Sequence, residues 1–447
     1  MLGVGIFLAP ALIASYAGSV SAYMLYWIIG GLTALAGAAS FAELGTMMPR
    51  SGGEYAFLQR AFGNSVGLAA GWTLVLVVFP GSIASMVAAL TEYQVIPWLN
   101  ALFDVSWSHT DGIASCLSVV IILLLTLLNI AGARLSSSAQ TVIVTLPLAL
   151  LAALALGGLA FGPEASAPVG SLSVDKDLSR LGVFSMAFMA TYFAYSGWNA
   201  IGYVAGEVEN PSRNVPLALL GGTAIVTTIY LLLAWFFVQT LGLEGLRRAP
   251  EAGSSSVGAW LGPTLGAWMS VPIAFGVLAS TNSSVLGGAR ISFALAQDGL
   301  LPRAFQRIAP STSTPYFALW VQAAVSIVLI LTGTFKQLLM LTSLTMIIIG
   351  AAAVAAVIRL RRLEPHTPRP FRVPMYPLAP MIYLGGSLLV IGSQCHSAVH
   401  SLVYGTSDTN GSHVYVLSGL VAFVSIIALH ALWQRFKTAS SPPDSSS

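Results

Sequence analysis

Apolar residues run through this chain in long blocks, not in alternation. Full blocks lie near residues 22–47, 64–91, 112–133, 139–162, 182–205, 217–241, 264–297, 315–334, 338–358, 376–395 and 413–434, and a shorter one covers 1–16. About 20 apolar residues in a row suffice for a helix to cross the hydrocarbon core of a bilayer. A membrane β-barrel would show short alternating segments instead. The pattern therefore predicts an all-α polytopic membrane protein, a multi-pass chain embedded in the lipid bilayer. The loops between the blocks are too short to fold around a core of their own.

Two blocks are interrupted. The middle of 182–205 reads Phe193-Ala194-Tyr195-Ser196-Gly197-Trp198-Asn199, and the chain opens on Gly3-Val4-Gly5-Ile6-Phe7. Small and polar residues suit a helix that unwinds within the membrane better than one that faces lipid. Unwinding leaves N–H and C=O groups without helical partners, which at bilayer depth is tolerated only where they face protein, water or a ligand. Glycine in membrane helices also permits close packing, so either segment alone reads as packing as readily as binding. Interruptions in corresponding helices of two repeats point to a transporter's substrate site.

Charge adds orientation. Only 8% of the residues are charged and mean hydropathy is +0.82, against about 25% charged in a soluble protein. Arg50, Arg60, Arg134, Arg213, Arg290, Arg303, Arg307, the five arginines from Arg359 to Arg372, Arg435 and Lys437 all fall on one side of the predicted spans. Lys176, Arg180, Arg247, Arg248 and Lys336 fall on the other. The positive-inside rule makes the richer side cytoplasmic. Basic residues spread between spans make no nucleic-acid face. Cys116 and Cys395 give no disulfide framework. Cys395, His396 and His400 have no carboxylate close in sequence, whereas a closed metal site needs three or four ligands, so neither metal nor cofactor is expected. The segment around Lys336 is no phosphate loop, and no pair of catalytic-type residues sits together at mid-span, so the chain does not read as an enzyme. Residues 435–447 are polar and rich in Pro and Ser, the composition of a disordered tail.

Several stretches together resemble the amino acid–polyamine–organocation (APC) superfamily of permeases, and within it the L-type amino acid transporter branch. Gly3 to Phe7 resembles the Gly-Ser-Gly-Ile-Phe motif of helix 1. Ala42-Glu43-Leu44-Gly45 and Pro49-Arg50-Ser51-Gly52-Gly53-Glu54-Tyr55 resemble the end of helix 2 and the loop after it. Phe193 to Asn199, followed by Glu207, Asn210-Pro211, Arg213-Asn214 and Pro216, resembles helix 6 and its exit, and residues 290–302 resemble the end of helix 8. The resemblance implies a LeuT-like 5+5 inverted repeat, here about 1–162 and 182–358, with two C-terminal helices at 376–395 and 413–434. It further implies a substrate held between broken helices 1 and 6 and passed by alternating access.

An amino acid zwitterion entering the membrane centre needs partners for both charges, because burying an unpaired charge costs several kcal/mol or more. Amides at the start of a half-helix suit the carboxylate, and Gly3, Val4, Gly5 and Ile6 offer them. Carbonyls at the end of the first half of helix 6, near Phe193, Ala194 and Tyr195, suit the ammonium. Ser196, Gly197, Trp198 and Asn199, with Asn282 and Ser283 from helix 8, are the candidates for the rest of the pocket. None is acidic, which favours neutral substrates. Phe193 matches the family position that closes over bound substrate as an outer lid. Glu43 reads as structural and close enough to the cytoplasmic end to reach water.

Some positions depart from the family pattern. The first half-helix before Gly-x-Gly is missing, so the natural start is expected upstream of Met1. Val4 replaces the family's Ser. Pro147 stands where many members carry a Lys in helix 5, which leaves proton coupling through such a Lys unsupported. Cys116 falls inside a span, not in the outer loop used by animal members, so no disulfide-linked ancillary subunit is expected. The reading is a secondary transporter of neutral L-amino acids working as an exchanger, in the inner membrane of a bacterial cell. A proton-coupled symporter or an exporter is the alternative within the class, and a non-transporting amino acid sensor on the same fold the alternative outside it.

Overall fold

The computed structural model describes residues 3–50, 52–105, 112–132, 147–158, 180–333 and 335–404, with Trp107 and a few single positions besides. The expected span 413–434, the tail 435–447, the flanks of the 139–162 span and the side chain of His400 lie outside the described residues. Within them every regular element is a helix. In chain order these are α1 (Gly5–Tyr16), α2 (Val20–Met47), α3 (Glu54–Phe62), α4 (Asn64–Asn100), α5 (Ile113–Ile130), α6 (Pro147–Gly158) and α7 (Arg180–Ala194). After a 3-10 segment (Trp198–Glu207) come α8 (Pro211–Arg248), α9 (Ala252–Leu261), α10 (Pro263–Gln297), α11 (Tyr316–Thr332), α12 (Phe335–Leu363) and α13 (Leu378–Tyr404). Seven of the described helices are long and apolar enough to cross a membrane. The protein is a polytopic all-α membrane protein.

Differences from the expected spans have local causes. The 64–91 span runs on past residue 91 to Asn100, because π turns at Leu74–Val78 and Thr91–Val95 carry the chain through without a break. The 182–205 block, by contrast, is interrupted at the Ser196-Gly197 middle where the sequence predicts it. It is α-helical to Ala194, turns at Gly197 with φ 91°, and resumes as a 3-10 segment. That left-handed conformation is open to glycine at no steric cost.

Helix α1 sits at the centre of the bundle, with most of its residues buried against α7 and α8. Its opening residues meet the end of α7, so the two interruptions face each other. Small residues on α2 make room around them. A side chain at Gly30 would strike Thr191 and Tyr195, and one at Gly37 would strike Trp198 and Tyr383. The aromatic rings so admitted fill the space: Tyr195 lies 5.9 Å from Trp27 and 5.2 Å from Tyr230 between ring centroids.

Arginines of the basic side meet their acids at one end of the bundle. Glu43, on α2, takes both Arg361 Nε and Nη2 at 2.8 and 2.5 Å, pairs with Arg369 at 3.2 Å, and accepts the Val373 amide at 2.8 Å. It is 1% exposed. Its place near the cytoplasmic end of α2 predicts reach to water; the arginines and the amide take the place of water instead. Arg60 pairs with Glu364 at 2.6 Å and Arg50 with Asp298 at 3.5 Å. At the other end Arg247 donates to the carbonyls of Ala14 and Ala17, which closes off the last turn of α1.

Candidate functional site

The start of α1 and the end of α7 border a cavity of about 140 Å³. Gly3, Val4 and Gly5 form one wall, and Phe193, Ala194, Ser196, Gly197 and Asn199 form the facing one. The first amides of a helix have no intrahelical partner. Here the ladder begins with the Phe7 and Leu8 amides bonding to the Val4 carbonyl, so the amides before them precede it. On the other wall the last-turn carbonyls are partly used locally. The Thr191 carbonyl accepts the Tyr195 amide, and that of Phe193 accepts both the Ser196 amide and its hydroxyl. The carbonyls of Ala194 and Tyr195 follow directly after.

Hydroxyls come from a third wall. Ser280, Ser283 and Ser284 of α10 stand at i, i+3 and i+4, one face of a helix, and that face lines the cavity. The spacing is readable in the sequence, although only Ser283 was singled out there. Ser82 and Met86 of α4 complete the lining one turn apart, with Val78, Phe79 and Met346 adding apolar surface.

Four of the sequence candidates are not brought to this cavity. Asn282 precedes Ser283 by one residue and so points about 100° away round the helix. Its Oδ1 accepts from Asn129 Nδ2 on α5 at 2.7 Å, buried between the two helices. Tyr195 turns into the aromatic cluster and Ile6 into the core, at 1% and 0% exposure. The Trp198 indole packs edge-on against Phe41 and Tyr383. It lines a second, smaller cavity of about 20 Å³ directly below the first, with Ser196, Gly197, Asn199 and Tyr203 bordering both.

That second cavity holds an acid the sequence reading did not weigh. Glu54 opens α3, between the spans that end at Met47 and begin at Asn64, and is buried. Gly52 and Gly53, with φ of 141° and 51°, turn the chain sharply beneath Tyr203 and place it there. Asn199 Nδ2 and the Tyr203 hydroxyl both donate to its Oε1. Burial pushes the carboxyl above the usual carboxylate range, opposed by the backbone amide and by these two donors. Gly-Gly-Glu was legible as part of a motif, but nothing in the sequence tied it to Asn199, 145 residues on.

Pro147 faces Gly276 of α10. Cys116 lies in the first turn of α5 and is exposed. Among the described residues no three His, Cys, Asp or Glu side chains gather as a metal site would require.

Residues 1–427 match the model of a family described as amino acid permease. Among curated proteins the chain is 28% identical to the serine/threonine exchanger SteT of Bacillus subtilis over 396 residues, which is 88% of this chain and 87% of that one. It is 28% identical to the b(0,+)-type amino acid transporter 1 of Mus musculus over 88% of this chain and 79% of the relative. Over 86% of this chain and 71% of the relative, it is 28% identical to the large neutral amino acids transporter small subunit 2 of Homo sapiens.

Proposed function

We propose that this chain, which belongs to the amino acid permease family, carries small neutral L-amino acids across the membrane by exchange. It is an amino acid transporter of the APC superfamily, not an enzyme; the substrate class, the exchange mode and the residues are our reading. The observation that carries it is the cavity between the two helix breaks. A cavity of about 150 Å³ is known to hold a benzene-sized solute, and this one, at about 140 Å³, suits the smallest amino acids.

The amides of Val4 and Gly5 take the substrate carboxylate, helped by the positive end of α1, while the Gly3 amide is held by the Tyr230 hydroxyl. The carbonyl of Ala194, the free one of the two last-turn residues that line the cavity, takes the ammonium. Both partners are backbone groups, so they accept any α-amino acid, and the side-chain walls select among them. The α10 serines favour a short or hydroxylated side chain. No carboxylate lines this cavity, so a cationic side chain finds no counter-charge in it. Phe193 stands at the cavity edge, where its ring excludes water from the bound zwitterion. We read the two breaks as corresponding parts of an inverted repeat, whose relative motion exposes the cavity to each side in turn. We place the chain in a bacterial inner membrane, without a disulfide-linked ancillary subunit.

Exchange rests on the likeness to an exchanger and on Pro147 in place of a helix 5 cation. Proton-coupled symport is the second reading, favoured by the buried Glu54. Labelled serine offered to liposomes carrying the purified protein separates them. Uptake only with amino acid inside means exchange. Uptake into empty vesicles, driven by an inward proton gradient, means symport and rejects our reading.

A further inference from the structure

We propose that Glu54 binds a proton as the cavity closes at the basic end of the bundle and releases it on opening, so that the carboxyl is a titrating latch beneath the substrate. This deepens the transport reading above and rests on it for its place in the cycle.

Three observations carry the inference. Glu54 Oε2 is buried and has no hydrogen-bond partner, while Oε1 receives two donors. A buried carboxylate with one oxygen unpaired is costly; a proton on that oxygen removes the charge and leaves both bonds to Oε1 intact. Next, no cation compensates it among the described residues that line its cavity. The lining of the cavity around Glu54 contains no Lys, Arg or His. Its other titratable groups are phenols: Tyr203 from the 3-10 segment, Tyr192 from α7 and Tyr383 from α13, the last two bonded to each other. The walls from α2, α4 and α12 are otherwise Phe41, Leu74, Val78, Met346, Ile349 and Gly350, which carry no charge. Arg359 reaches α3 only at the far end, at the Ala61 carbonyl.

Finally, the two donors to Glu54 are themselves cavity walls. Asn199 and Tyr203 belong to the segment after the α7 break and border the substrate cavity as well as the lower one. The carboxyl therefore ties the loop after α2 to the unwound part of α7. Opening this end would separate α3 from that segment and let water reach Glu54. An ionised carboxylate is favoured in water and the neutral acid in the closed, dry arrangement, so protonation and closure promote each other. Glu54 does not line the substrate cavity; it acts through Asn199 and Tyr203 and is a positioning residue.

The test compares the full-length protein with Glu54→Gln, which keeps the shape and the acceptor oxygen but cannot ionise. Infrared difference spectra between acid and alkaline pH, recorded on each protein in lipid without substrate, should show a buried carboxylic acid C=O band in the wild type that Glu54→Gln lacks. Counterflow of labelled serine into serine-loaded liposomes, at equal pH on both sides, should vary with pH in the wild type and be flat in Glu54→Gln. Identical spectra for the two proteins, or identical pH profiles, overturn the proposal. If Glu54→Gln does not transport, serine binding against pH replaces counterflow, and the same titration in both proteins overturns it. A titrating band that Glu54→Gln removes, in a protein that moves no neutral amino acid, rejects the transport reading and leaves the proton site standing.

Discussion

Any side chain at position 5 would collide with the Cα of Ala194. Gly5 is the point where α1 and α7 come closest, and the nearest atoms to a Cβ there all belong to the Ala194 backbone and methyl. The glycine is required by helix contact, and its missing side chain would not project into the cavity.

Gly5→Ala should therefore damage the protein by prising the two breaks apart. Overpacking of this kind costs about 1–3 kcal/mol, so both melting temperature in detergent and serine counterflow should fall. Gly3→Ala makes the control. Its Cβ would meet Ser280 Oγ at 2.9 Å and Cβ at 3.2 Å, side-chain atoms and no backbone, so less has to shift. Equal damage from both variants would show that cavity shape, not helix approach, is at stake.

Phe193→Ala should slow exchange more than it weakens binding, since the ring borders the cavity without offering a polar contact to a charged group. The comparison is the maximal counterflow rate against the half-saturating serine concentration. A pure loss of affinity would count against the lid role.

Glu43→Ala should be among the most damaging substitutions for stability. It removes the partner of Arg361 and Arg369 and the acceptor of the Val373 amide in one step. Breaking a buried pair from one side costs about 3–5 kcal/mol. Thermal unfolding of the purified protein measures it. A shift no larger than that of an exposed variant such as Glu244→Ala would mean that water already reaches the site.

Glu364 gives a pH dependence with a defined sign. The hydrogen bonds from Arg60 hold its carboxyl below the usual carboxylate range, with Thr367 adding to the effect. A depressed value in the folded state stabilises above the unfolded value and loses that contribution as pH falls through the folded one. The pair is partly exposed, so its worth is at most about 1 kcal/mol. Glu364→Gln should melt slightly below wild type at neutral pH and equal it in acid. A gap that widens in acid would reverse the assignment.

The span pattern is legible in the sequence because a helix that crosses the hydrocarbon core must be apolar over its whole length. The breaks are legible for a related reason. Gly3, Gly5 and Ser196-Gly197 are poor material for a lipid-facing helix, and their position says where backbone groups are left over. Which way a side chain points is harder to read. Asn282 and Ser283 differ by one position and by a third of a turn, and both are polar; only the placement of α5 and its Asn129 sends one away from the cavity. Trp198 reads in the sequence as a pocket residue or as packing, and Gly37 on α2 opens a slot that takes the indole. Glu54 escaped because its neighbours are made by folding: Asn199 and Tyr203 approach it from 145 and 149 residues further along the chain.

The two stacked cavities also make a size filter. The lower one, at about 20 Å³, has room for a single water, which needs about 10–15 Å³ by this measure, and none for an amino acid. While Trp198 stays wedged between Phe41 and Tyr383, the floor of the upper chamber passes at most a water or a proton. On the proposed route of release toward the basic end, the Trp198 indole would have to swing aside first.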